Sequence, residues 1–134
     1  MPKVDHIRLY LQCARNYFED LAKQQETIFL SVSQKISTAS HTLGCFLISQ
    51  GYEKVCYAAG ERTVSEQYQT HAWLEWNGWI IDITADQFAD GPSAVFMERG
   101  SEFHRSFTRD YESEPEISSC IAAQNQKFLR YMES

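Results

Sequence analysis

The sequence predicts an α+β fold in which N-terminal helices pack on a small antiparallel sheet and a C-terminal helix closes the chain. Three observations lead to this prediction: helical spacing of apolar residues near the N-terminus, alternation of apolar and polar residues around Asn77-Gly78, and apolar residues in the tail that favour a further helix. With 134 residues the chain has the length of one domain and can bury a sizeable core. Residues 1–134 are therefore expected to form a single domain.

Two helices are predicted before the sheet. Helix one is expected over residues 4–29, where apolar residues recur every three or four positions: Val4, Ile7, Leu11, Ala14, Phe18 and Leu21. Residues 31–35 are expected to form a loop. Helix two is expected from Thr38 to Gln50, with Gly51 as its C-terminal stop.

A central group of three antiparallel strands is expected to follow the helices. Tyr52–Ala59 predicts the first strand, and the polar segment Gly60–Glu66 predicts a loop. The second strand carries His71, and the third follows Asn77-Gly78.

The C-terminal third has weaker signals. Gly91-Pro92 predicts a turn, residues 93–97 a short strand, and residues 98–114 a polar loop without periodicity. The tail favours a closing helix because it contains Ile117, Cys120, Ile121, Phe128, Leu129 and Met132.

The segment from His71 to Thr84 predicts a two-residue hairpin with Asn77-Gly78 as its turn. In that register Trp76 pairs with Trp79, and His71 and Asp82 become diagonal neighbours on one face, roughly 7–8 Å apart along the backbone. An imidazole oriented by a carboxylate is two thirds of a nucleophilic triad.

Two further residues lie on the same face of the predicted hairpin. Trp73 shields the His71–Asp82 pair from water, lines a substrate pocket, or serves as packing. Glu75 is expected to be a solvated hairpin residue.

The same segment resembles the transglutaminase-like branch of the papain-type superfamily. His71-Ala72-Trp73-Leu74-Glu75 and Asp82-Ile83-Thr84 carry the resemblance, which extends over about residues 35–90. It implies a papain-like/transglutaminase-like fold and a triad in which His71 is the base and Asp82 orients it. The cysteine expected at the start of the preceding helix is missing, and Ser37 stands at or near its position.

Ser37 has alternative interpretations. As the N-cap of helix two it would accept a hydrogen bond from a backbone N–H two or three residues later. As the nucleophile it is either a natural serine or a replacement for cysteine that inactivates the protein. A helix N-terminus suits a nucleophile because its free N–H groups stabilise a thiolate. The resemblance also implies that the Gln34 side chain stabilises an oxyanion.

The positions of the cysteines and histidines limit which nucleophiles and metal sites the chain is expected to contain. Cys13, Cys45, Cys56 and Cys120 are predicted inside helices and strands as buried, weakly nucleophilic thiols, with Cys45 the best candidate among them. Without a signal peptide, they favour reduced thiols in a cytoplasmic protein. The chain has no Cys-x-x-Cys and its histidines are dispersed, so we expect neither a metal nor a cofactor; the histidines are His6, His41, His71 and His104.

Charge and hydropathy exclude several functions. A formal net charge of −6 disfavours nucleic-acid binding, and no apolar run is long enough to cross a membrane. The expected function is acyl transfer on a peptide or protein amide, by hydrolysis, glutamine deamidation or transamidation. The alternatives are a catalytically dead transglutaminase-like domain that binds a peptide or protein, and a small interaction protein in which the hairpin is only core. The oligomeric state is not predicted.

Overall fold

A computed structural model gives the fold of residues 3–24, 32–115 and 122–133, with side chains described for residues 3–20, 39–115 and 126–133. These residues form four α-helices, one 3-10 turn over Ala85–Gln87, and five strands. The helices are α1 (Val4–Gln24), α2 (Val32–Ser49), α3 (Glu102–Arg105) and α4 (Ala122–Glu133). The strands are β1 (Cys56–Val64), β2 (Gln67–Trp76), β3 (Trp79–Asp82), β4 (Phe96–Glu98) and β5 (Thr108–Ser113). Within the described ranges, no helix is both long and apolar enough to span a membrane.

The strands form one antiparallel sheet in the order β4-β3-β2-β1-β5. This confirms the α+β class. Besides the three central strands, the short strand expected over 93–97 is present as β4 (Phe96–Glu98), and β5 is a strand that was not expected. The closing helix is confirmed over 122–133, while residues 116–121 lie outside the described part of the chain.

The first two helices differ from the prediction in their limits. Helix one is confirmed up to Gln24, and residues 25–29 fall outside the described ranges. Helix two begins at Val32, so the expected loop over 31–35 is wrong where the chain is described. The apolar spacing continues back through Ile36 to Val32, and no glycine or proline interrupts it. Ser37 therefore lies in the second turn of α2, and the N-cap interpretation is wrong.

The Asn77-Gly78 hairpin is confirmed. Trp76 pairs with Trp79, and the two turn residues have φ angles of 50° and 83°, the positive values that a two-residue turn between twisted strands requires. Because the turn is local, the register of β2 against β3 followed from the sequence.

Two predicted loops are strands. The expected loop Gly60–Glu66 continues β1 as far as Val64, and a two-residue turn at Ser65-Glu66, with φ of 50° and 68°, leads into β2. The segment 98–114 contains α3 and β5, and β5 pairs with β1. Both stretches lack an apolar alternation because β5 is an exposed edge strand and β1 carries buried Arg62.

The two faces of the sheet bury different side chains. On the helix face, Leu43 and Leu47 of α2 pack with Leu74 and Ile81 in the main core. On the opposite face, which we call the site face, a smaller cluster contains Ala58, Trp73 and Phe107, with Ile80, Phe88 and Phe103 packed against it. Since side chains alternate along a strand, His71 and Asp82 belong to the site face.

Candidate active site around Asp82

His71 and Asp82 form a buried hydrogen-bonded pair. The hairpin brings His71 Nε2 to 2.6 Å from Asp82 Oδ2, and both side chains are 0% exposed. The expectation that these two residues share a face and meet through their side chains is confirmed.

Asp82 also receives hydrogen bonds from two other residues. His104 Nε2 lies 2.7 Å from the same Oδ2 that contacts His71. The other oxygen, Oδ1, accepts from the backbone N–H of Thr84 at 2.9 Å and from its hydroxyl at 3.2 Å. The carboxylate is therefore surrounded by four hydrogen-bond donors.

Sequence reasoning missed His104 because its segment was expected to be a loop. The local signal was present: Ser101 precedes an acidic residue and caps α3, accepting a hydrogen bond from the backbone N–H of His104. No local pattern indicates that this short helix lies against Asp82. The pairing of β5 with β1 brings it there.

The environment of Asp82 favours its ionised form. Burial by itself would raise the pKa of this carboxyl, but hydrogen bonds from His104 and His71 and the positive charge these rings can carry outweigh burial and lower the pKa from 3.8 to about 2. At neutral pH both imidazoles therefore donate Nε2–H to a carboxylate.

The remaining ring nitrogens differ in their partners. His104 Nδ1 lies 2.5 Å from Ser101 Oγ. His71 Nδ1 is buried and has no hydrogen-bond partner among the described residues. In a neutral His71 that donates through Nε2, Nδ1 carries a free lone pair, which is the state required of a general base.

An aromatic shell surrounds His71. It consists of Trp73, Phe88, Phe103 and Phe107, whose ring centroids lie 5.0–5.9 Å from that of the imidazole. Trp73 is thus packed in the site-face cluster, as one of its three interpretations predicted. Glu75 is half-buried rather than solvated, because it accepts from Trp73 Nε1 at 3.0 Å and pairs with Arg109.

Arg62 covers the outer side of this shell. Its guanidinium carbon lies 4.3 Å from the centroid of Phe107 and 5.0 Å from that of Phe103. Both terminal nitrogens bond Asp90, at 3.0 and 2.8 Å, and Nε donates to Gln69. In this structure the shell and Arg62 separate His71 from water.

His71, Asp82 and His104 also form the one group of metal-ligating residues found within the described ranges, with ligand atoms within 4.8 Å of one another. The expected dispersal of the histidines is therefore wrong for His71 and His104. A metal would require both Nε2 atoms to be deprotonated, whereas they lie 2.6 and 2.7 Å from Asp82 Oδ2, at the distance of hydrogen bonds to a carboxylate. The hydrogen-bonded arrangement with Asp82 fits these residues better than a metal centre.

The other sequence candidates are less informative. Ser37 and Gln34 lie in α2, but their side chains fall outside the described part. Cys13 is exposed, contrary to expectation, and Cys120 is not described. Burial raises the pKa of the half-buried Cys56 thiol, which makes it a weak nucleophile.

Two further candidate residues lie in the part of α2 whose side chains are described. Cys45 is half-buried, in partial agreement with expectation. His41 is half-buried and stacked on Tyr57 with ring centroids 3.8 Å apart.

Comparison of the chain with protein-family models, curated proteins and solved structures found no match. The resemblance of the hairpin to transglutaminase-like enzymes therefore stays a prediction. The contacts of Asp82 with His71 and His104 are the basis on which a function can be inferred.

Proposed function

We propose that this protein is an acyl-transfer hydrolase of the papain-like, transglutaminase-like type, acting on a peptide or protein amide. The observation that carries the proposal is the buried His71–Asp82 pair. One imidazole nitrogen donates to a carboxylate and the other is an acceptor without a described partner. General-base catalysis needs this division of roles within one ring.

Ser37 is taken as the nucleophile because the family resemblance implies it, and the alignment of α2 with β2 brings its backbone level with His71. Ser40 Oγ donates to the carbonyl oxygen of Ala72 at 3.4 Å, and a Cβ placed on Gly44 would lie 3.1 Å from Leu74 Cδ2, so the helix and the strand run in the same direction. Ser37 lies three residues before Ser40, roughly 4.5 Å along the helix axis, which is level with His71 near the middle of β2. Because α2 packs on the helix face and His71 lies on the site face, the reaction requires the Ser37 side chain to reach His71 from the opposite side of the sheet.

In the proposed reaction, the Ser37 hydroxyl gives its proton to His71 Nδ1 while its oxygen bonds the amide carbon. The carbonyl π electrons move to oxygen, and Asp82 stabilises the resulting imidazolium. When the tetrahedral intermediate collapses, the C–N bond breaks and His71 returns the proton to the leaving nitrogen. Water as the second acceptor gives hydrolysis or deamidation, and an amine gives transamidation.

A second candidate function is peptide binding by a catalytically dead domain. Two observations favour it: the side chains of His71 and Asp82 are fully buried, and they lie on the sheet face opposite α2. A cavity of about 790 Å³ lies elsewhere, and Glu53, Glu112 and Glu114 contribute to its lining. Its acidic lining would suit a basic peptide.

The test uses an engineered thiol at position 37. If Ser37 is level with a working base, Ser37→Cys will react with iodoacetamide near neutral pH faster than Cys45, and Ser37→Cys/His71→Ala will lose that advantage. Ser49→Cys, at the exposed end of the same helix, provides the matched reference thiol. Mass mapping identifies each adduct. Equal rates at positions 37 and 49 would contradict the enzyme proposal.

A further inference from the structure

We propose that Ser101 and His104 act as a positioning pair on Asp82, holding its carboxylate so that His71 presents Nδ1, and not Nε2, as the basic nitrogen. This inference deepens the proposed function by adding two residues to its site. It rests on the proposed function only for its relevance to catalysis, because the tautomer of His71 can be measured without an activity assay.

We assign the direction of each hydrogen bond in the pair for a neutral His104 ring. Ser101 Oγ accepts from the His104 backbone N–H at 3.1 Å, so its hydroxyl hydrogen is free to point to His104 Nδ1, 2.5 Å away. With Nδ1 acting as an acceptor, the ring proton is on Nε2, which donates to Asp82 Oδ2 at 2.7 Å. Ser101 and His104 are 7% and 3% exposed, so water does not compete with these bonds.

The consequence for His71 follows from the number of donors on Asp82. Oδ1 accepts twice from Thr84 and Oδ2 accepts from His104, and these three donors favour the ionised carboxylate over a protonated one. His71 must then donate through Nε2. Without His104, Oδ2 would keep a single donor in a buried site, where a protonated carboxyl is favoured. Protonated Asp82 could donate to His71 Nε2 and move the ring proton to Nδ1.

Helix capping alone does not account for this arrangement. Capping α3 requires Ser101 only as an acceptor for a backbone N–H. The imidazole of His104 adds nothing to that cap, yet it is buried against the carboxylate that also holds His71. The pair therefore has a role at Asp82.

The experiment reads the histidine tautomers of the full chain by long-range nitrogen–proton NMR at neutral pH. In the wild type, His71 and His104 should both show the Nε2–H tautomer. His104→Leu should lower the ratio of Nε2–H to Nδ1–H at His71 by about tenfold, the effect of losing one hydrogen bond to a charged group. His104→Gln keeps an N–H donor, and its ratio should stay close to the wild type.

A second pair of variants tests the role of Ser101 and covers the case in which His104→Leu does not fold. Ser101→Ala removes the hydroxyl that fixes His104 and should lower the Nε2–H fraction of both rings. Ser101→Thr keeps the hydroxyl and should restore it. An unchanged His71 tautomer in folded Ser101→Ala and in folded His104→Leu would overturn the proposal. A mapped adduct of a fluorophosphonate probe on Ser101 would also overturn it, because Ser101 would then be a nucleophile.

The outcome is separable from that of the proposed function. A tautomer change at His71 without enhanced reactivity at Ser37→Cys would support the positioning pair and reject acyl transfer. Enhanced reactivity at position 37 that His104→Leu leaves unaltered, together with an unaltered tautomer, would reject only the pair.

Discussion

The helix face and the site face of the sheet both bury side chains, but different interactions stabilise them. The helix face contacts apolar side chains such as Phe46 and Leu47, whose packing is non-directional. The site face buries a carboxylate, two imidazoles and a guanidinium, and each depends on particular partners. The apolar packing of the helix face is therefore expected to contribute most of the folding stability, and the hydrogen bonds of the site face to determine which atoms carry protons. Substitutions on the two faces should therefore differ in their effects on stability and on proton placement.

The largest loss of stability is expected on the helix face. Phe46 is 2% exposed and contacts Tyr10 and Phe128, so Phe46→Ala should lower the free energy of unfolding by about 4 kcal/mol. Urea denaturation measures this change. Leu9→Ala, at a position 66% exposed, is the control and should stay within about 0.5 kcal/mol of the wild type. In folded Phe46→Ala the His71 tautomer should be unchanged, and a shift would show that the faces are not independent.

Replacing the central carboxylate should affect both stability and proton placement. Asp82→Asn keeps the shape but removes the charge that both imidazoles bind, and we expect a loss of about 3 kcal/mol in unfolding free energy. Asp86→Asn is the matched control, because Asp86 pairs with Arg15 and its side chain is 35% exposed. It should cost less than about 1 kcal/mol. Similar losses in the two variants would mean that the site face gains little from its buried charge.

The pH dependence of the unfolding free energy should reveal the contribution of the Asp82 carboxylate. The folded-state pKa of Asp82 is lowered from 3.8 to about 2, so its contribution is complete above pH 3.8 and disappears as the pH falls toward 2. The contribution is about 2 kcal/mol, since one pKa unit corresponds to about 1.4 kcal/mol. Unfolding free energies of the wild type and Asp82→Asn should therefore converge between pH 4 and pH 2. A difference that stays constant across this range would contradict the assignment.

The smallest effect on stability is expected at the outer side of the aromatic shell. Arg62→Lys keeps the charge but loses the two-pronged contact with Asp90 and the stacking on Phe107, at a cost of about 1 kcal/mol. The more sensitive measurement for Arg62→Lys is the rate at which diethyl pyrocarbonate modifies His71. Mass mapping should show that this rate increases. Arg15→Lys disrupts a similar pair with Asp86 and should leave that rate unchanged. Equal rates in both variants would show that Arg62 does not shield the site.

The parts of this structure that could be predicted depend on contacts near in sequence. Asn77-Gly78 fixes the register of its own two strands, and the contact between His71 and Asp82 follows from that register. The contact of His104 with Asp82 depends instead on β5 returning to β1. Because β5 is an exposed and polar edge strand, no apolar alternation indicated it.

Two other errors have a common physical cause. The charge of Arg62 favours a loop, whereas here Asp90, Gln69 and aromatic rings satisfy it inside a strand. Likewise, the serine side chain favours a helix cap at Ser37, one of the two interpretations of that residue, although the apolar spacing continues to Val32. In both cases the surrounding pattern is a better guide than the residue type.

The hairpin also has a consequence for the order in which the site forms during folding. His71 and Asp82 are separated by 11 residues joined through a tight turn, and isolated hairpins form within about 1–10 μs. His104 reaches Asp82 only after the later pairing of β5 with β1, a contact between distant parts of the chain. We therefore expect Asp82 to acquire His71 early and His104 late. An incompletely folded chain would contain the Asp82 carboxylate and the His71 imidazole without His104, and the tautomer of His71 would not yet be determined. The position of that ring proton is therefore among the last features that folding establishes.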